Sequence, residues 1–223
     1  MALVVTIENG FAEVGAGSWL TSCGQPAAFF GTAVRRHRKG WVVRDRWALD
    51  LVETTDRAWL ADAARPFLTY IPCAAPIFAV SHKVLVAPAE ARTGSEIVKT
   101  VPMSLRGALG VTMFSQKPEL ENEKQGRGVS AWAVMATASR TLRLQVADED
   151  TLSVRPEAVV AWTGKRPTGF VRRIGVWDIL LPRGPRDLML NFHGPCLVWI
   201  EGAGISCKAR LAGTYPRFGR RAV

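Results

Sequence analysis

The sequence lacks any run of the ~18–20 consecutive apolar residues that a bilayer-crossing helix needs, which excludes a chain spanning a membrane in that way. It has only 2 Tyr and 3 His, and only 22% of its 223 residues are charged. Its four cysteines (Cys23, Cys73, Cys196 and Cys207) are far apart and form no Cys-x-x-Cys pair. That spacing excludes a dense disulfide framework, although Cys196 and Cys207 leave room for a bridge across two neighbouring strands. The expectation is four reduced, mostly buried thiols. His37, His82 and His193 do not cluster with them, so a structural zinc site is not expected.

Motifs that carry catalysis are also missing. There is no Gly-x-Ser-x-Gly elbow, no phosphate-binding loop ending in Gly-Lys-Ser/Thr, no His-Glu-x-x-His and no strand-led Gly-x-Gly-x-x-Gly. Gly15-Ala-Gly17 and Gly202-Ala-Gly204 lack a third glycine and read as turns. Asp148-Glu-Asp150 lies between two strand-like segments and reads as a solvated turn. His193, just before Gly194-Pro195, has no nameable nucleophile or orienting acid beside it and reads as a hydrogen-bonded turn residue. The chain is therefore expected not to be an enzyme and to need no cofactor, metal or small-molecule substrate. The first residues, Met1-Ala-Leu-Val-Val-Thr-Ile-Glu-Asn-Gly, carry no Lys or Arg, so neither a mitochondrial presequence nor a secretory signal is expected there.

What is present points to strands. Hydrophobic residues make up 48% of the chain, enough for a substantial core. Leu142–Val146 and Leu188–Phe192 alternate apolar with polar, the pattern of strands with one buried face. Phe67–Ile71, Ile77–Val80, Val84–Ala87, Ala158–Trp162, Val176–Leu181 and Leu197–Ile200 are continuous apolar runs, expected to be strands buried on both faces. Gly and Pro recur between them, about every 8–12 residues, which predicts an all-β sandwich, barrel or β-helix. One short helix is expected over Asp56–Ala64, with Asp56 as its cap and Pro66 as its stop. Trp132, Trp162, Trp177 and Trp199 fall inside strand runs and are expected in the core. Residues 115–128 are polar and Gly-terminated, an exposed excursion between a β-rich half (1–114) and a C-terminal β unit (129–210). A basic tail (211–223) follows, and the whole is expected to be one compact two-lobed domain, with duplication of a β unit a further reading.

Positive charge is the remaining signal: 29 Lys and Arg against 19 Asp and Glu, a net +10. One cluster holds Arg35, Arg36, Arg38, Lys39, Arg44 and Arg46, interleaved with Trp41 and Trp47. A second holds Lys165, Arg166, Arg172 and Arg173. The third is the tail, with Lys208, Arg210, Arg217, Arg220 and Arg221 and no acid after Glu201. Arginine forks pair with phosphate and stack on bases, and each neutralised phosphate releases condensed counterions. The expected partner is a polyanion, either RNA or anionic lipid head groups.

Within residues 130–201 the segments Ala131-Trp-Ala-Val-Met, Leu142-Arg-Leu-Gln-Val, Val154-Arg-Pro-Glu-Ala-Val-Val-Ala-Trp162 and Phe192-His-Gly-Pro-Cys-Leu-Val-Trp199 follow one another. This order resembles the mitochondrial-biogenesis (altered inheritance of mitochondria) family, whose fold is similar to the tryptophan RNA-binding attenuation protein. Cys196 stands where that family has glycine, which suggests a turn without positive φ. The resemblance implies stacked double-stranded β-helix, sandwich-like units, often assembled into rings or trimers, with no established enzymatic activity. No motif here matches the attenuation protein's ligand-binding residues. Taken with the charge, it implies a non-catalytic, RNA-associated structural protein. The setting expected is a mitochondrial ribosome or its assembly machinery in the matrix, among rRNA and neighbouring proteins. The alternatives are a scaffold of inner-membrane organisation that binds anionic lipid or partner proteins, and a cytoplasmic location with a small ligand in a β-helix pocket.

Overall fold

In a computed structural model, the structure describes residues 5–22, 28–36, 49–72, 75–98, 109–115, 132–171 and 188–202. Strands are numbered in chain order, and every neighbouring pair in the described sheets is antiparallel. The first sheet contains β1 (Val5–Glu8), β2 (Phe11–Val14), β7 (Arg57–Leu60) and β4 (Ala28–Phe30), in that order. The second runs β5 (Ala33–Arg36), β6 (Asp50–Thr54), β3 (Gly17–Thr21), β10 (Val84–Pro88), β13 (Trp132–Thr137), β8 (Phe67–Pro72). The third runs β11 (Arg92–Val98), β12 (Leu109–Phe114), β9 (Ile77–Val80), β16 (Val159–Thr163), β19 (Cys196–Glu201), β14 (Thr141–Val146). The fourth holds β15 (Thr151–Val154), β18 (Leu188–His193) and β17 (Thr168–Val171). The protein is all-β, as expected.

Three apolar cores show that these sheets are stacked as layers. Ala12, Val14, Ala58 and Leu60 of the first sheet meet Trp19, Leu85, Val86, Trp132 and Val134 of the second. Leu20, Ile71, Val84, Ala133 and Met135 on the second sheet's other face meet Ile77, Ala79, Phe114, Val160 and Trp199 of the third. Val80, Val146, Trp162, Val198 and Ile200 on the third sheet's far face meet Leu152, Val154, Leu190 and Phe192 of the fourth. Successive side chains point to opposite faces of a strand. In β13, Trp132 and Val134 therefore join one core while Ala133 and Met135 join the next. With both faces covered, the inner sheets cannot afford alternation, which explains why Val84–Ala87 and Ala158–Trp162 are apolar at every position.

The chain passes between layers at tight corners. Single 3-10 turns at Ser81–Lys83 and Pro156–Ala158 lead from β9 to β10 and from β15 to β16, and another at Ala89–Ala91 leads from β10 to β11. The first layer uses only residues before 61 and the fourth only residues after 150. The inner layers interleave the two parts of the chain: β8 and β10 pair with β13, and β9 pairs with β16. The polar excursion at 115–128 thus does not separate two independently paired sheets. All but its first residue lies outside the described residues, as does the tail at 211–223.

Three sequence expectations need correction. Residues 56–64 form no helix. Arg57–Leu60 is a strand with Ala58 and Leu60 buried, and pairing with β2 and β4 outweighs the helix propensity of its alanines. The following residues turn at Asp62, whose carboxylate accepts from the Ala64 amide (3.0 Å) and from Arg65 Nε (2.7 Å). Phe67–Ile71 is not covered on both faces: it lies at the edge of the second sheet, and only Ile71 in it is buried. Leu142–Val146 does not show a clean buried face either: Val146 is buried and Leu144 packs against the same core, but Leu142 is 54% exposed. Trp132, Trp162 and Trp199 are in the core as expected, joined by Trp19, while Trp177 and the run Val176–Leu181 lie outside the described residues.

Candidate polyanion-facing surface

Among the described residues, eleven Lys and Arg face thirteen Asp and Glu, a balance of −2. The remaining segments hold eighteen Lys and Arg against six Asp and Glu, a balance of +12. Four of the thirteen candidate basic residues fall among the described residues. Lys165 and Arg166 are exposed on the turn Gly164–Pro167 that leads from β16 in the third layer to β17 in the fourth. Gly164 takes a φ of +83°, and a Cβ there would press on the Pro195 carbonyl and Cys196, so this turn is built on glycine. Arg35 and Arg36 close β5, the outermost strand of the second layer, opposite Val52 and Leu51. The first and second clusters are thus anchored in different layers. Arg38, Lys39, Arg44, Arg46, Arg172, Arg173, Arg217, Arg220 and Arg221 lie outside the described residues.

The tightest ionic arrangement is one that sequence reasoning missed. Lys83, only 3% exposed, donates through Nζ to the Glu157 carbonyl (2.6 Å), the Val159 carbonyl (3.0 Å) and Glu201 Oε1 (2.9 Å). Glu201 Oε2 in turn accepts from the Ala138 amide at 3.3 Å. Burial lowers the pKa of the Lys83 ammonium below its ordinary 10.5, against the opposing pull of Glu201. All three ammonium protons are engaged, so this group ties the corner at Ser81–Lys83 to the corner before β16 and to the end of β19. Arg65, which donates to the His82 carbonyl, braces the same corner from outside. The clue in the sequence was a lone lysine between two apolar runs, Ile77–Val80 and Val84–Ala87.

The other singled-out residues behave as turn and ladder elements. His193 closes β18, with Nδ1 3.0 Å from Thr151 Oγ1 and Nε2 3.3 Å from Thr168 Oγ1, and Ser153 donates to Asn191 beside it. Asp148 and Glu149 are exposed in the turn between β14 and β15. Among the described residues, no group of three or more His, Cys, Asp and Glu stands close enough to hold a metal ion. Cys196 is a free, buried thiol whose pKa is raised by burial, and its backbone avoids positive φ. Cys23, Cys73 and Cys207 lie outside the described residues. No described helix is long and apolar enough to cross a membrane.

A four-layer antiparallel β stack is thus the class the fold defines. No protein-family profile matches the chain, and no curated protein matches it in sequence. It is similar in structure to protein SPYM3_0169 from Streptococcus pyogenes, solved by X-ray crystallography. The TM-score is 0.63 at 10% sequence identity, over 90% of this chain and 92% of that one. At that identity the likeness speaks for the fold alone.

Proposed function

We propose that the protein is a non-catalytic, RNA-associated structural component, holding RNA through Arg-rich segments carried by a neutral β stack. The feature that supports this reading is the charge pattern along the sequence: three Arg-rich, acid-poor clusters in a chain of net +10. Arginine forks pair with phosphate, and each phosphate neutralised releases condensed counterions. The family resemblance adds the setting, a mitochondrial ribosome or its assembly machinery. Filter binding of structured rRNA fragments between 50 and 200 mM salt tests it: the log–log slope is expected to be about −4 or steeper for five or more phosphate contacts. Changing Arg35, Arg36 and Arg38 together to Glu should weaken retention at least about tenfold while the thermal melt is unchanged. Salt-insensitive or absent retention overturns the reading. Co-sedimentation with cardiolipin-rich vesicles without RNA retention would replace RNA by an anionic membrane surface.

A further inference from the structure

The outer edge of β14 carries a self-complementary sequence. Among the described residues β14 hydrogen-bonds only to β19, so its other side is an open edge of the third layer there. The Gly202 amide donates to the Arg140 carbonyl, which fixes the phase of that ladder. Residues 140, 142, 144 and 146 direct their main-chain groups inward to β19, and Thr141, Arg143 and Gln145 direct theirs outward. Leu142, Leu144 and Val146 stand opposite Ile200, Val198 and Cys196, so they lie on the face turned to the fourth layer. Leu142 there is 54% exposed, and Arg143 and Gln145 on the other face are also exposed. Read onward, the edge is basic at one end (Arg140), apolar along one face in its middle, and acidic at the other end (Asp148, Glu149). None of Arg140, Arg143, Asp148 and Glu149 takes part in an ion pair among the described residues.

We infer that this edge is an interface with a second copy of the chain, the two β14 strands pairing antiparallel about a two-fold axis through Leu144. An axis perpendicular to the sheet keeps each side chain on its own face, so it must pass through a residue rather than between two. Through Arg143 it would set two guanidinium groups against each other. Through Gln145 it would set Leu142 against Asp148. Through Leu144 it pairs Leu142 with Val146 of the second copy and Leu144 with its own mate, continuing the apolar core between the third and fourth layers across the seam. Arg143 then meets Gln145 on the other face, and these are the residues whose main-chain groups point outward and can exchange hydrogen bonds. The same register brings Arg140 to Asp148 of the second copy, twice per dimer, which gives the association its charge complementarity.

Sedimentation equilibrium of the full chain tests this, independently of RNA binding. The expected mass is twice the 24.4 kDa of one chain. Leu142→Lys puts an ammonium on the apolar strip of an edge, a device that blocks strand addition, and should yield a folded single-chain species by circular dichroism. Arg140→Glu should raise the dissociation constant about tenfold or more, since two attractions become two repulsions. Adding Asp148→Arg to Arg140→Glu should restore most of that loss, which a merely structural role for either residue would not do. A single-chain mass for the unaltered protein, a species larger than a dimer, a dimer that survives Leu142→Lys, or a double swap no tighter than Arg140→Glu overturns the inference.

Discussion

Lys83→Met is the perturbation that probes the stack most directly. The substitution keeps the length and apolar character of the lysine stem but removes the ammonium, so three acceptors lose their donor at once. Glu201, whose side chain is 16% exposed, is left with a carboxylate held only by the Ala138 amide. Removing one partner of a buried pair costs about 3–5 kcal/mol because the other charge stays behind. The two orphaned carbonyls push towards the upper end of that range, and the partial exposure of Glu201 pulls back towards the lower. At about 2–4 °C per kcal/mol for a chain of this size, the expected loss is roughly 10 °C in melting temperature. Urea unfolding followed by tryptophan fluorescence reads it as a shift in midpoint at constant m. Combining Lys83→Met with Glu201→Leu should recover more than half of the loss, since no charge is then left stranded. The pH dependence has a definite sign. Because burial lowers the Lys83 pKa, the unfolded chain holds that proton to higher pH than the folded one. The stability gap to Lys83→Met is therefore level below the lowered folded value and rises with pH only between that value and about 10.5, above which it is level again. A single variant costing less than 1 kcal/mol, or a double variant no better than the single, would refute the reasoning.

Gly194→Ala should be among the most damaging single changes outside the cores, because a Cβ there would run into the Ala147 carbonyl. The obstacle is main chain and cannot swing aside, so a loss of about 3 kcal/mol or more in urea unfolding is expected, and a loss under 1 kcal/mol would contradict the packing of the β18–β19 turn. Trp162→Phe should be mild, within about 1.5 kcal/mol. The indole stacks on Phe78 with ring centres 5.4 Å apart and meets Phe192 edge-on, contacts a phenyl ring largely keeps, while its buried Nε1 has no acceptor to lose. A cost above 3 kcal/mol would mean that the indole N–H is satisfied after all.

Strands with two covered faces were the most legible feature, because continuous apolar runs such as Val84–Ala87 have few other uses in a chain with no helical periodicity. The edges were not. Phe67–Ile71 and Val84–Ala87 look alike as sequence, yet one lies at the margin of its sheet and the other near its centre, and only pairing partners far along the chain decide which. Residues 56–64 misled for a related reason. Their alanines favour a helix by tenths of a kcal/mol each, while burying Ala58 and Leu60 between β2 and β4 in the first layer is worth more. The partners of Lys83 were illegible because they come from positions 74, 76 and 118 residues away. The basic clusters were visible at once as sequence, but of the thirteen candidate residues only Lys165 and Arg166 have described side chains.

Stacking four layers has a consequence for charge that bears on function. An inner sheet offers no solvated face, and burying an unpaired ion costs several kcal/mol, so ionisable residues are driven to edges, corners and connecting segments. Lys83 shows what an exception requires: three acceptors, one of them a carboxylate. This exclusion acts equally on acids and bases. It bears on where charge can sit, but it does not choose the sign of that charge. The chain's excess of 29 Lys and Arg over 19 Asp and Glu is therefore a property the fold does not demand. Solubility would be served as well by acidic residues, and better by them than by lysine or arginine. The proposed polyanion partner would account for the sign, and the salt dependence of RNA retention is the measurement that tests it.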